Sequence, residues 1–146
     1  MIKDGSQLNI PIEVADKTVW VRVWQLTAGR NKMYLMDTDS DKNAPWDREL
    51  SSRLYGGDKE IRLRQEIVLG FGPVKLLKAL GLKPGVFHLN EGHSAFVALE
   101  LLAEEMRNGC NFEEAREKVK SKIVFTTHTP VAAGHDRFPF EVIDKY

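Results

Sequence analysis

The chain has 146 residues, 42% of them hydrophobic and 29% charged, with 21 basic side chains balancing 21 acidic ones. That is enough for one domain with a real core, burying roughly two-thirds of the extended chain's surface, at a composition ordinary for a globular protein. With no net charge, and with Lys and Arg interleaved among Asp and Glu, no global field steers the chain toward nucleic acid or an anionic membrane.

A single cysteine, Cys110, leaves no internal disulfide and no paired-thiol metal pattern. No apolar run approaches the ~20 residues needed to cross a bilayer. The opening MIKDGSQLNIPIEV has no continuous apolar stretch of the secretory kind. A reducing, cytoplasmic setting is the expectation, with neither nucleic acid nor membrane as a partner.

Residues 8–38 read as a three-stranded antiparallel meander. In TVWVRVW, Val19, Val21 and Val23 share one face, and Thr18, Trp20, Arg22 and Trp24 share the other. The segments ADK (15–17) and AGRNK (28–32) are turn-like, with IPIEV and MYLMDT as the flanking strands. Trp20 and Trp24 suit either a sugar-stacking platform or packing against a neighbouring layer, and packing is the expectation. The loop DTDSDKNAP (37–45) is dense in Asp and Asn but lacks the central glycine and terminal glutamate of a calcium loop.

Residues 45–81 read as helical. A short helix follows Pro45 in WDRELSSRLY, with Gly56-Gly57 as its stop. In KEIRLRQEIVLGFGPVKLLKALG the spacing gives two helices parted at Gly72-Pro73, since proline suits a first turn and not an interior. Leu63, Ile67 and Gly70 continue one face, Val74, Leu77 and Leu80 another. Arg62 and Arg64 are expected on a solvated face.

Residues 86–146 read as parallel strand and helix units. VFHLN is a short apolar strand, and residues 92–107 are helical, with Phe96, Leu99, Ala103 and Met106 as the buried stripe and Glu100, Glu104 and Arg107 as the polar one. NFEE, with Asn111 at the N-cap, is a capping box that opens a second helix. IVFTTHT is then a second buried strand. Strand, two helices, strand is a crossover unit, which in a shared sheet is parallel and right-handed. PFEVIDKY starts a further helix, and the break there leads to the expectation that the chain is an internal fragment of a longer protein. The class is α/β, read as one domain over 1–146.

Ligands of parallel α/β sheets bind beyond the carboxyl ends of the strands. There VFHLN runs into EGHS, and IVFTT runs into HTPVAAGHDRF. With the strands as neighbours, His93 and His128 face one crevice. Gly92 lets backbone approach a ligand, and the helix start offers free N–H donors. Imidazole donates to or accepts from hydroxyls, so a sugar-like ligand suits it. Two other chemistries fit less well. A metal site from His93, His128, His135 and Glu91 lacks the HExxH pattern. A hydrolase recruiting Ser94 lacks the G-x-S-x-G elbow. On spacing alone, a polar corner with His88 and His128 as satisfied core histidines remains as good as a ligand site.

HLNEGHSAFVALELL followed by VFTTHTPVAAGHDRF resembles the α-glucan (glycogen, starch and maltodextrin) phosphorylases, particularly the shorter bacterial and archaeal type. RLYGGDKEIRLRQEIVLGFGPVKLLKALG and VRVWQLTAGRNKMYLMDTD match the same family upstream, in order. The resemblance implies the N-terminal part of a GT-B fold, two facing Rossmann-like domains with the active site between them. It implies phosphorolysis of terminal α-1,4-linked glucose by inorganic phosphate, releasing glucose 1-phosphate. It also implies pyridoxal phosphate, held by a lysine of a C-terminal domain that nothing in this chain matches.

By the same resemblance His93 falls on a histidine that hydrogen-bonds the glucosyl unit, and Asn90 and Glu91 belong to its motif, where larger relatives carry N-D-T-H. His128 lies in a motif lining the same region, and Asp58, in GGDKE, lies near a gate loop. The fragment alone is expected to be inactive, to bind no cofactor itself and to self-associate through apolar surface. Two rival readings are a non-catalytic sugar-binding or interaction module and a piece of another GT-B glycosyltransferase.

Overall fold

The computed structural model describes residues 1–3, 6–53, 57–131 and 135–146. It divides into two compact units, residues 1–68 with 139–146, and residues 69–138.

The first unit is built on the meander. β1 (Ile2–Lys3) and β2 (Ser6–Gln7) form a small antiparallel ribbon, and β3 (Asn9–Val14), β4 (Lys17–Ala28) and β5 (Asn31–Asp37) form an antiparallel sheet in that order. β4 is long because it serves two partners in turn. Arg22 is the handover residue, opposite Asn9 on one side and Asp37 on the other. Two-residue turns close both hairpins, between Val14 and Lys17 and between Ala28 and Asn31. Such turns need positive φ, which Ala15 (58°) and Gly29 (62°) adopt.

The alternation read from the sequence is realised. Val19, Val21 and Val23 are at most 1% exposed, while Trp24 on the other face is 46% exposed. Among the described residues, no layer covers Trp24. Its ring instead lies under the Arg22 guanidinium, and its indole N–H donates to Asp37 Oδ2 (3.1 Å).

The Asp-rich loop folds around its own side chains. Asn43 accepts the Trp20 N–H (2.8 Å) and donates to the carbonyls of Trp20 and Thr38 (both 2.7 Å). It thus satisfies β4 on the side that β5 has not yet reached. The short helix after Pro45 is one α turn, α1 (Pro45–Arg48), and one 3-10 turn, Glu49–Ser51. The expected stop at Gly56-Gly57 lies partly outside the described residues. Arg64 does not sit on a solvated face, since it pairs with Asp47, itself 4% exposed. Arg62 likewise pairs with buried Glu66 one turn on (3.4 Å).

The two helices expected on either side of Gly72-Pro73 are a single helix, α2 (Lys59–Ala79), with Pro73 inside it. An interior proline costs about 3 kcal/mol, and the helix continues because the apolar residues beyond it are worth more buried. Val74 and Leu76 are 5% and 3% exposed, and each buried aliphatic side chain contributes about 1.5–3 kcal/mol. Leu69, whose carbonyl loses its N–H partner, is itself 42% exposed, between buried Val68 and Gly70.

The second unit holds β6 (Phe87–Asn90), a 3-10 turn (Gly92–Ser94), α3 (Val97–Arg107), α4 (Phe112–Lys120) and β7 (Ile123–Thr126). β6 and β7 pair in parallel, from Phe87 opposite Ile123 to Asn90 opposite Thr126. α4 opens on the expected capping box, with Asn111 and Glu114 each taking the other's backbone N–H at 3.0 Å. Val74, Leu89, Val97, Leu101 and Val119 form the core. Gly70 meets Phe96 so closely that an added Cβ would lie 2.4 Å from the Phe96 Cβ.

The stripe read for α3 is not the buried one. Val97 and Leu101 are buried, whereas Leu99 and Met106 are 50% and 45% exposed. Glu100, read as part of the polar stripe, is itself buried at 9% exposure, with its carboxylate 2.8 Å from Arg107. The tighter 3-10 turn before α3 advances the phase by more per residue than an α turn would. β7 is also not fully buried, with Val124 and Phe125 each about half exposed. The helix expected at PFEVIDKY is one turn, α5 (Phe140–Ile143), and belongs to the first unit. Among the described residues no helix is long and apolar enough to cross a membrane.

Candidate functional site

Both parallel strands of the second unit end in polar residues on the same side. β6 stops at Asn90 and β7 at Thr126, and the Glu91 N–H donates to the Thr126 carbonyl (2.9 Å), so the ladder runs one step past β6. Immediately there the chain bends. Glu91 adopts φ 63°, ψ −177°, a region occupied almost only by glycine. This bend turns the strand into the 3-10 turn that carries His93.

The Glu91 side chain turns inward. It is 5% exposed, and Oε1 accepts the backbone N–H groups of His128 and Thr129, each at 2.8 Å. The same oxygen lies 3.2 Å from His128 Nδ1. Oε2 is equally buried and has no hydrogen-bond partner among the described residues. The His128 N–H first, and then the Thr129 side chain, hold the carboxyl down at about 2, well below its ordinary 4.5, against the opposing effect of burial. Glu91 is thus an anion at any working pH.

His128 is the exposed partner in this arrangement, 59% open at its side chain, with Nε2 3.1 Å from Asn90 Oδ1. Asn90, Glu91 and His128 therefore meet at the strand ends. His88 is not a core histidine. It is exposed one step back along β6, with Nε2 2.6 Å from the Thr126 hydroxyl. His128 is exposed as well, so neither fits the buried-core alternative.

His93 sits beside a different partner, with Nδ1 3.3 Å from Asp136 Oδ2 and only 21% of the side chain open. His135 Nε2 lies 3.1 Å from the Thr129 carbonyl oxygen. Residues 132–134, between these motifs, lie outside the described residues. The four residues weighed as a metal set do not share a centre. Among the described residues, no three of Glu91, His93, His128 and His135 bring their ligand atoms within 4.8 Å of one another.

Asp58 belongs to the first unit, where its carboxylate accepts the Ile61 N–H (2.9 Å) and its carbonyl the Arg62 N–H (3.0 Å). That is an N-cap for α2, a local structural task. Sequence reasoning missed Thr129 and Asp136. The only signal for either was adjacency, to His128 in one case and to His135 in the other.

A cavity of about 460 Å³ opens at the opposite, amino ends of β6 and β7, lined by Phe87, Leu101 and Lys122 among others. Four of its five charged groups are paired with one another, Lys78 with Glu104 (2.7 Å) and Lys122 with Glu105 (2.8 Å). The carboxyl ends, by contrast, present an exposed amide and imidazole.

In parallel α/β sheets ligands ordinarily bind beyond the carboxyl ends of the strands, where this unit exposes an amide and an imidazole. A glycogen phosphorylase of Aquifex aeolicus is 43% identical over 143 residues, covering 98% of this chain and 21% of the relative. A maltodextrin phosphorylase of Thermococcus litoralis is 45% identical over 141 residues, covering 97% of this chain and 17% of the relative. A glycogen phosphorylase of Mycobacterium tuberculosis is 39% identical over 150 residues, again covering 98% and 17%. Over nearly all its length, then, the chain is a homologue of the glycogen and maltodextrin phosphorylases, and it spans 17 to 21% of the length of these curated relatives. No family model matches the chain, and no solved structure does.

Proposed function

We propose that this chain is part of the N-terminal domain of an α-glucan phosphorylase with the GT-B arrangement, and that its second unit supplies a glucosyl-facing wall of the cleft. The enzyme would phosphorolyse terminal α-1,4-glucosidic bonds with inorganic phosphate, releasing glucose 1-phosphate. The observation that carries this reading is the convergence of Asn90, Glu91 and His128 at the carboxyl ends of two parallel strands, in a chain homologous to phosphorylases along nearly its whole length.

The chemistry suits a sugar. Hydroxyl groups both donate and accept, and an amide beside an imidazole offers both in return. By the family resemblance His93, 3.3 Å from Asp136, is assigned to the glucosyl unit, Asn90, Glu91 and His128 to motifs of the same region, and Asp58 to the gate loop. The half-exposed Val124 and Phe125 on β7 also support a larger domain, because parallel sheets are ordinarily covered on both faces.

Pyridoxal phosphate does not fit the residues gathered here. A Schiff base needs an amine, and the strand ends offer an amide, an imidazole and a buried carboxylate that would repel a phosphate. Its seat is assigned to the part of the enzyme that this chain does not span. The 146-residue chain alone is accordingly inactive and prone to self-association.

The test is phosphate-dependent release of glucose 1-phosphate from maltodextrin. The full-length gene product is expected to release it and the 146-residue chain is not. In the full-length protein, His93→Ala should raise the barrier in kcat/KM by about 1–3 kcal/mol, the usual cost of losing a sugar hydroxyl contact. Release by the short chain, or unchanged kinetics in His93→Ala, would overturn the corresponding assignment.

A further inference from the structure

We infer that Glu91 is a positioning residue, one that never meets the ligand but fixes the His128 imidazole beside Asn90 at the strand ends. The inference deepens the reading of the strand ends as sugar-facing and rests on it for its kinetic consequence, though not for its structural one.

Three observations carry it. Exposure divides the labour, with Glu91 5% open at its side chain and His128 59% open. A ligand reaching the strand ends can touch the histidine and the exposed Asn90, but not the carboxylate. Through one oxygen Glu91 accepts the His128 and Thr129 N–H groups and also lies 3.2 Å from the His128 Nδ1. Backbone and side chain of the same histidine are therefore fixed together. Finally, Glu91 holds a backbone conformation (φ 63°, ψ −177°) that costs a non-glycine residue free energy. That bend aims the side chain back across the sheet to the end of β7 instead of along β6.

The chemical effect on His128 is specific. A carboxylate only accepts, so the 3.2 Å contact keeps a proton on Nδ1. In the neutral ring Nε2 is then the acceptor; Asn90 Oδ1 lies 3.1 Å from it, so a hydrogen bond between the two requires the Asn90 amide to be turned over, with its NH₂ toward the ring. A hydroxylated ligand would find the two groups already oriented, which is where positioned contacts gain rate.

Two measurements on the full-length gene product test this. The first is the ¹⁵N spectrum of labelled histidine under conditions where the ring is neutral, with the His128 signals identified by their absence in His128→Ala. The wild type should show Nδ1 protonated, and Glu91→Gln should shift the His128 ring signals while sparing those of His88. A protonated Nε2 in the wild type, which needs no Glu91 variant to fold, would overturn the inference, as would unmoved His128 signals in Glu91→Gln.

The second is a kinetic cycle for maltodextrin phosphorolysis. Glu91→Gln should lower kcat/KM by on the order of 10- to 100-fold, the scale of a misplaced contact, and should cost nothing further in the His128→Ala background. An equal loss in both backgrounds would mean that Glu91 acts on the fold in general and would sink the positioning role. If no glucose 1-phosphate is released at all, the proposed function fails, and the spectra still decide the role of Glu91.

Discussion

The loop after the meander and the junction after β6 look alike as sequence, each a short run of carboxylates, amides and small residues. They use those side chains in opposite ways. In the loop, Asp37 accepts from the Trp24 indole, the Ser51 hydroxyl and the Asp39 N–H, and Thr38 and Asn43 are buried and bonded to backbone. Those groups are spent on holding the loop to the sheet. At the junction, one buried carboxylate secures the backbone, and an amide and an imidazole remain exposed. Polar density therefore does not mark a site. What sets the junction apart as the candidate site is a buried group holding exposed ones, at a bend whose conformation costs a non-glycine residue free energy.

The comparison can be broken in several ways. The largest expected effect is at the foot of the loop, where Arg64→Leu leaves the buried Asp47 without its partner. Losing one member of a buried pair costs about 3–5 kcal/mol, to be read from urea unfolding. A cost below about 1 kcal/mol would mean that water reaches Asp47 and that the corner is not structural.

Next is Gly70→Ala in α2. The added Cβ would lie 2.4 Å from the Phe96 Cβ and 2.8 Å from the Phe96 backbone carbon. Backbone cannot give way as a side chain can, so about 1–3 kcal/mol of overpacking is expected. A stabilised variant, from the higher helix propensity of alanine, would contradict the close approach of α2 to the start of α3.

The two asparagines give the sharpest contrast. Asn43→Ala strands the N–H and carbonyl of Trp20 and should cost about 1–3 kcal/mol. Asn90→Ala, at an exposed position, should stay within about 0.5 kcal/mol of wild type. Equal losses in the two variants would erase the distinction between structural loop and presented site.

A further effect concerns pH. The folded Glu91 carboxyl titrates at about 2 and the ordinary value is 4.5. Its contribution to stability is therefore fully present above about 4.5 and is lost as pH falls toward 2. Thermal midpoints of wild type and Glu91→Gln should differ most above pH 5 and converge toward pH 2. A gap independent of pH would mean that the carboxylate charge plays no part.

Much of this was legible in residues alone. The valine alternation gave the meander and its buried face, and the NFEE pattern gave the cap of α4. The parallel pairing of β6 and β7 followed from the crossover. Two failures share one physical origin, that tertiary burial overrides local rules. Pro73 should break a helix, but the apolar run beyond it is worth more buried than the proline costs. Glu100 should face solvent, but α3 buries it with Val97 and Leu101 and pairs its carboxylate with Arg107.

At the candidate site, the strand-end rule pointed to His93 and His128, and the family resemblance added Asn90 and Glu91; the structure gathers Asn90, Glu91 and His128 and sets His93 beside Asp136. The sequence could not reveal that Glu91 faces inward, because nothing in the letters N-E-G-H marks a glutamate held at positive φ. Nor could it separate His93, which rests on Asp136, from the histidine that Asn90 and Glu91 hold.

The most direct test of a presented site against a structural loop compares Asn90→Ala with Asn43→Ala in the full-length protein, below the melting temperature of both. The measurement is kcat/KM for glucose 1-phosphate release from maltodextrin, normalised to folded enzyme. Asn90→Ala, though stable, is expected to lose about tenfold or more, the equivalent of about 1.4 kcal/mol, whereas Asn43→Ala, though destabilised, turns over like wild type. Unchanged kinetics in Asn90→Ala, or matching losses in the two variants, would contradict the assignment of the strand ends as the sugar-facing site.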